Sequence, residues 1–231
     1  MMHEFFDDEK RLNVFISGQK GMGEDVLRAM IHNPLINVVG VCCPIDDRRM
    51  GALADTFEIP RIPSGSLRAD IFPDGVDLGI SAHSFDYVGR ATRYRPRLGW
   101  IGYHPSLLPR HRGRSSIEWA IRMKDPITGG TVFWLNAGID RGDIATQDWC
   151  FIDPAMFSKD PREMAAILWR ETLRPMGVRL ICETVRNILS GSAKRIPQDK
   201  RFSTWEPSTE VKDIYRPDLL LLNAPKTENK Q

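Results

Sequence analysis

His104 is the side chain in this sequence most readily read as doing chemistry. It opens the stretch Tyr103-His104-Pro105-Ser106-Leu107-Leu108-Pro109-Arg110-His111-Arg112-Gly113. Two prolines and a terminal glycine exclude a helix or strand interior there, so the segment is expected to be a rigid, shaped loop. An imidazole is the group best suited to give or take a proton near pH 7, and a Pro-flanked setting supplies the fixed geometry such a group needs. A second polar loop, Asn136-Ala137-Gly138-Ile139-Asp140-Arg141-Gly142-Asp143-Ile144, combines two aspartates with two glycines. A carboxylate on such a loop can polarise a neighbouring histidine or order a water. Composition alone favours a plain turn in which Asp140 or Asp143 caps its own backbone. The third feature is Gly18-Gln19-Lys20-Gly21-Met22-Gly23. A glycine loop entering a helix can leave N–H groups free for an anion, or can simply be a tight, well-packed turn. Its G-x-x-G-x-G spacing departs from the dinucleotide fingerprint, and no Lys-Ser/Thr pair closes it as a phosphate loop. Asp46 and Asp47 are the nearest acids to the end of the next apolar run, and neither clearly takes a ribose. A nicotinamide cofactor is therefore not expected.

These residues need elements to hold them. Leu12 to Ser17 is an apolar, β-branched run ending at Gly18, as in a buried strand. Met22, Val26, Leu27, Met30 and Ile31 then recur on one helical face, and the pattern stops before Pro34. Ile36 to Cys43 is a second buried strand. Strand, helix and strand in this order imply a βαβ unit and a parallel sheet. A short helix is expected over 46–57. Strands are expected over 76–82, 100–103 and 130–135, the last resuming after a break over 145–149. Asp160, Pro161 and Glu163 mark the start of a long helix reaching residue 190, with Pro175 kinking or splitting it and Gly191 at its end. The fold class is α/β, a doubly wound and mostly parallel sheet. Residues 1–11 read as a polar leader, 12–200 as the catalytic domain, and 201–231 as an irregular C-terminal extension.

Composition narrows the classes further. The 231 residues are 42% hydrophobic and 27% charged, which suits a globular protein and not a disordered or fibrous one. Thirty-two basic and 30 acidic residues leave a net charge of +2, too weak a field to recruit nucleic acid or a membrane surface. One local imbalance stands out: eight arginines and a single acid, Glu118, lie between Arg90 and Arg122. That stretch could meet an anionic ligand or be a solvated face. The cysteines, Cys42, Cys43, Cys150 and Cys182, form no C-x-x-C pair, so neither a zinc site nor a disulfide framework is expected. They read as reduced core residues of a cytoplasmic protein. The N-terminus has no apolar signal segment, and no apolar run nears the ~20 residues that span a bilayer.

HPSLLPRHRG followed by GGTVFWLNAGIDRGDI resembles the folate-dependent formyltransferase family, most of all the amino-terminal hydrolase domain of 10-formyltetrahydrofolate dehydrogenase. RIPQDKRFSTWEP resembles the segment that closes the family's catalytic domain. The resemblance covers roughly residues 13–207. It implies a Rossmann-like fold that uses 10-formyltetrahydrofolate, with tetrahydrofolate as product, and neither a metal nor NAD. It places the family's catalytic histidine at His104 and its aspartate at Asp140, whose 36-residue separation fits the family's. The family's asparagine would stand at position 102, which here is Gly102. Such a donor is worth roughly 3–4 kcal/mol by analogy with other oxyanion holes. The hydrolase domain also lacks that asparagine. The resemblance further places the pterin against Asn136, Ala137, Gly138 and Ile139, largely through backbone groups, with Phe85 and Tyr87 as candidates to pack on a folate ring. It implies transfer to an amine on a small molecule or sugar nucleotide. Hydrolysis to tetrahydrofolate and formate is the alternative, and a non-catalytic folate-binding module the alternative of another class. Partners are then folate plus an acceptor or water. Gln19, Lys20 and Arg114 are candidates near the acceptor. Leu219–Leu222 is a candidate surface for homo-oligomer contact or for packing on the core.

Overall fold

A computed structural model describes residues 11–209. The sequence features at 1–10 and Leu219–Leu222 lie outside the described residues. The chain runs β1 (Leu12–Gly18), α1 (Lys20–Ile31), β2 (Ile36–Cys43), α2 (Met50–Thr56), β3 (Arg61–Pro63), β4 (Leu78–Ala82), α3 (Arg90–Arg93) and β5 (Trp100–His104). It continues with α4 (Ser116–Arg122), β6 (Ile127–Trp134), β7 (Ile144–Phe151), α5 (Pro161–Leu168) and α6 (Arg174–Leu189). The seven strands form one sheet in the order β3-β2-β1-β4-β5-β6-β7. The first five are parallel, and β6 and β7 add as an antiparallel edge. The doubly wound, mostly parallel sheet expected from the sequence is present. The strand order reverses between β1 and β4, the place where open α/β sheets form a ligand crevice at their C-terminal ends.

Alternation along the strands sorts the core into two layers. Val14, Ile16, Leu78 and Ile80 pack with Met22, Val26 and Leu27 of α1 and with Leu180, Ile181 and Val185 of α6. Phe15 and Trp100 point the other way and pack with Phe72 beneath α3 and the irregular chain before β4. Their ring centroids lie 4.7–6.0 Å apart. Gly79 of β4 is required there, because any Cβ would stand inside the Trp100 indole.

Several expectations shift in detail. The glycines of 18–23 do not form a separate loop: Gly18 ends β1, while Gly21 and Gly23 lie inside α1. The helix expected over 46–57 begins only at Met50, because Asp47 folds back to accept hydrogen bonds from the N–H groups of Arg49 and Met50, both at 2.8 Å. The long helix over 161–190 is two helices joined by a π-helical turn, Trp169–Leu173. Pro175 has no N–H to give to the preceding turn, and the wider turn accommodates that loss. Asp160 caps α5 as expected, accepting from Arg162 and Glu163 N–H. Cys42 and Cys43 are core residues and Cys150 and Cys182 only half-buried; all four are free thiols. Burial and the nearby Asp86 push the Cys42 thiol up to about 12, so it is inert. Among the described residues no helix is long and apolar enough to cross a membrane, and no cluster of His, Cys, Asp or Glu could hold a metal.

Candidate functional site

β5 carries His104 to the C-terminal edge of the sheet, where its side chain is 8% exposed. The loop that follows is tied to β6 and β7. Thr131 of β6 accepts from Leu108 N–H at 3.1 Å and donates to the Ser106 carbonyl at 2.7 Å. Gln147 of β7 donates to the Leu108 carbonyl and to Thr131. The loop then curls back so that His104 Nε2 meets the His111 backbone carbonyl at 2.7 Å. A carbonyl only accepts, so Nε2 carries the proton in that bond. Nδ1 is the ring nitrogen left for chemistry, and it lies 3.7 Å from Asp140 Oδ2.

Asp140 is held from two sides. Its Oδ2 accepts from Gly113 N–H at 2.8 Å. Its backbone sits at φ +53, a conformation that costs an L-residue energy and that surrounding contacts must enforce. Gln198 supplies them by donating to the carbonyls of Asp140 (3.0 Å) and Gly142 (2.7 Å), while accepting from Arg112 at 2.7 Å. Arg112 itself is buried. Burial and the neighbouring Arg141 pull its guanidinium down while Asp140 pulls it up. His111, whose carbonyl fixes His104, is 3% exposed and lies at φ +51. Its Nε2 meets Asp125 Oδ2 at 2.7 Å, its Nδ1 lies 3.1 Å from Glu206 Oε2 without hydrogen-bond geometry, and its N–H donates to Thr204. Sequence reading missed these supporting roles. Gln198 and Glu206 stand in the segment that carries the resemblance, but nothing in their types marks them as props for a loop some 60 and 90 residues earlier.

The other expected site residues fall on the same edge. Phe85 and Tyr87 follow β4 and are 64% and 77% exposed, and Arg114 lies over the Phe85 ring at 5.0 Å. Asn136, Ala137 and Ile139 are exposed and Gly138 is half-buried. Asn136 Oδ1 accepts from Gly138 N–H and shapes the turn. Gly102 lies on the same side of β5 as His104. A Cβ there would stand 2.8 Å from Leu135 Cδ1, so an apolar side chain lies where a donor at 102 would begin. The arginine stretch divides: Arg112 and Arg114 stand on this edge, and others do not. Arg95 pairs with Asp74 and Arg97 with Asp77 at the opposite, N-terminal end of β4.

Residues 71–165, which include His104, Asp140 and the loops around them, match the formyl transferase family model. This chain carries a formyl transferase domain. Cytosolic 10-formyltetrahydrofolate dehydrogenase of Xenopus laevis is 31% identical over 211 residues, 85% of this chain, and this chain spans 22% of that relative. Among solved structures, a 4-N formyltransferase from Francisella tularensis superposes with a TM-score of 0.67 at 20% identity, covering 84% of this chain and 75% of that one. An N-formyltransferase from Helicobacter canadensis, solved with folinic acid and dTDP-3-aminofucose, gives 0.65 at 14% identity, covering 86% and 72%. The formyl transferase domain thus has the fold of these enzymes.

Proposed function

We propose that this chain moves the formyl group of 10-formyltetrahydrofolate to an amine acceptor, with His104 and Asp140 handling the proton of the nucleophile. One observation carries the reading. His104 Nε2 is committed to the His111 carbonyl, so in the neutral ring Nδ1 presents its lone pair toward the Asp140 carboxylate at 3.7 Å. Two acceptors face each other across a gap that a proton donor would satisfy on both sides. An amine attacking a formyl carbon must lose a proton, and Nδ1 can take it and return it to N10 of the folate as the formyl C–N10 bond breaks. Asp140 then faces an imidazolium and stabilises it.

The folate supplies an electrophilic formyl carbon. Everything else falls to this chain. Phe85, Tyr87 and Ile139 offer exposed apolar surface on the crevice edge, which suits a flat heterocycle and its aryl arm. The backbone of Asn136 to Ile139 offers N–H and C=O groups for the pterin edge.

A second reading, hydrolysis to tetrahydrofolate and formate, is favoured by Gly102 and Leu135. Position 102 has no side-chain donor for a developing oxyanion, and Leu135 fills the space where one would begin, as fits the resemblance to the hydrolase domain that also lacks that asparagine. The long match to 10-formyltetrahydrofolate dehydrogenase also supports it. Folate binding without turnover would leave the non-catalytic reading. The test is absorbance-monitored turnover of 10-formyltetrahydrofolate, with and without a panel of amines, against His104→Ala. Transfer predicts turnover that depends on an amine; hydrolysis predicts turnover without one. Turnover surviving in His104→Ala would overturn both.

A further inference from the structure

The His111 ring is buried between two carboxylates from distant parts of the chain. Asp125, just after α4, accepts from Nε2 at 2.7 Å. Glu206, in the last described stretch and itself only 8% exposed, brings Oε2 to 3.1 Å from Nδ1. Arg110 donates to both oxygens of Asp125, at 3.2 and 3.0 Å, and its Nη2 lies 3.5 Å from His111 Nε2. These are the charged groups that meet the ring among the described residues. Arg110 offsets Asp125, whereas His111 is the ionic contact of Glu206 among those residues. A ring with a single proton cannot satisfy both sides. That proton goes to Asp125 through Nε2, which leaves a lone pair on Nδ1. The lone pair then faces the Glu206 carboxylate, acceptor against acceptor. His111 Nδ1 and Glu206 Oε2 are both buried, and neither has a hydrogen-bond partner elsewhere among the described residues. Buried unpaired acceptors and an uncompensated buried carboxylate are each costly, and one proton between these two atoms removes both costs. The atoms are within hydrogen-bond distance without being aligned, and such a proton is what would draw the carboxylate into line.

We propose that Glu206 is a positioning residue: it shares one proton with His111 Nδ1, and this bridge fixes the backbone carbonyl on which His104 depends. The path between them is short. His111 sits at φ +51, a backbone conformation that its surroundings must enforce. Its N–H donates to Thr204 Oγ1 at 2.8 Å, and its carbonyl accepts from His104 Nε2 at 2.7 Å. The chain beside Glu206 lies along the same loop: Thr204 N–H donates to the Pro109 carbonyl and Arg112 N–H to the Thr204 carbonyl, both at 3.2 Å. When the shared proton leaves for solvent, Glu206 is set against the ring lone pair and the His111 turn is free to relax. His104 then loses the acceptor that keeps its own proton on Nε2 and its lone pair on Nδ1. The bridge stands on the geometry around His111; its effect on turnover rests on the formyl-transfer reading.

The test compares the full chain with Glu206→Gln and Glu206→Ala, each with a melting curve, a tetrahydrofolate titration and a pH profile of kcat. A glutamine of the same shape puts an N–H where the shared proton stood, and it donates to His111 Nδ1 without titrating. Glu206→Ala is expected to lower kcat about tenfold or more with folate affinity unchanged, and Glu206→Gln to restore most of that loss. The parent's kcat should fall on the alkaline side as the bridge gives up its proton, and Glu206→Gln should lack that fall. A brace acting through packing alone gives the parent and Glu206→Gln the same profile, and that result would overturn the proposal, as would Glu206→Ala turning over as fast as the parent. Nitrogen-15 NMR of histidine-labelled protein reads the bridge without turnover. His111 Nδ1 should lie away from the position of a free lone pair in the parent and move to it in Glu206→Ala; a free position in the parent sinks the proposal. Turnover without a bridge sinks the proposal and leaves the formyl-transfer reading intact. A bridge in a protein that turns over no folate sinks that reading, and the positioning role with it.

Discussion

At His104 one ring nitrogen is already spent on a backbone carbonyl and the other faces a carboxylate. That asymmetry makes the two site residues separable by experiment. His104→Ala removes the proton acceptor, and kcat is expected to fall by ~10²–10⁴-fold, the usual range for a general base. Asp140→Asn keeps the size and the Gly113 contact but removes the charge that supports the imidazolium, and is expected to cost ~10²-fold in kcat with little change in folate affinity. Steady-state kinetics paired with tetrahydrofolate titration checks both. Gly102 raises a second question at this scale. Gly102→Asn alone drives a side chain into Leu135 and is expected to destabilise by about 1–3 kcal/mol, as overpacking does. Adding Leu135→Ala vacates that space, so melting temperature should recover in the double variant relative to Gly102→Asn; denaturation of the three variants decides it. His104 stands out in the sequence by its rigid Pro-flanked loop, whereas Asp140 is singled out only by the family resemblance, since composition alone reads its loop as a plain turn. Leu135 was not legible, since a leucine ending a strand looks like core in any sequence.

At the scale of elements, one carboxylate joins two helices. Asp47 takes N–H groups from the first turn of α1 and from the start of α2. Burial alone would push its carboxyl up, but the hydrogen bonds from Lys20, Arg49, Met50 and Gly51 outweigh that and hold it below the usual carboxylate range. A carboxyl lowered on folding stabilises fully above its unfolded value, and the gain is lost as pH falls through the lower folded value. Asp47→Asn can accept through only one oxygen. It is expected to cost about 1 kcal/mol at pH 7, the typical value of a helix cap. The gap to the parent protein should begin to shrink below about pH 4, the unfolded value, and close only once pH has fallen through the lower folded value. Urea unfolding across pH reads this directly. The strands and α1 were legible because buried apolar runs and a 3.6-residue stripe are strong signals. The split at Trp169–Leu173 was only half legible: Pro175 announced a break, but a π turn and a kink leave the same mark in sequence. Asp47 was weighed as a ribose ligand, and its capping role emerges only when α1 and α2 are seen side by side.

Across the whole molecule, the site depends on the chain's last described stretch. Residues 192–209 contain little regular structure, as their composition suggests, yet they brace the loops that carry His104 and Asp140. Ile196 pairs with Ile144, Gln198 holds the Asp140 turn, and Thr204 and Glu206 meet His111. The polar composition of this stretch hid the role, because single side chains, and no hydrophobic face, make these contacts. Gln198→Glu keeps an oxygen for Arg112 but loses both donors to the Asp140 and Gly142 carbonyls. It is expected to lower kcat about tenfold or more while stability changes by roughly 1–3 kcal/mol, the range for lost buried hydrogen bonds. A kcat loss with unchanged folate affinity marks it as a positioning residue. The central claim is that His104 takes the proton of the nucleophile that attacks the formyl carbon and returns it to the folate nitrogen as that bond breaks, and a single turnover tests it most directly. 10-Formyltetrahydrofolate labelled with carbon-13 in the formyl group is mixed with excess enzyme, and the label is followed by NMR in the parent protein and in His104→Ala. The account predicts label moving in the parent, into an N-formyl product when the amine panel is present or into formate without it, and staying on the folate in the variant. Label that stays on the folate in the parent under every condition, or that moves equally fast in His104→Ala, would contradict it.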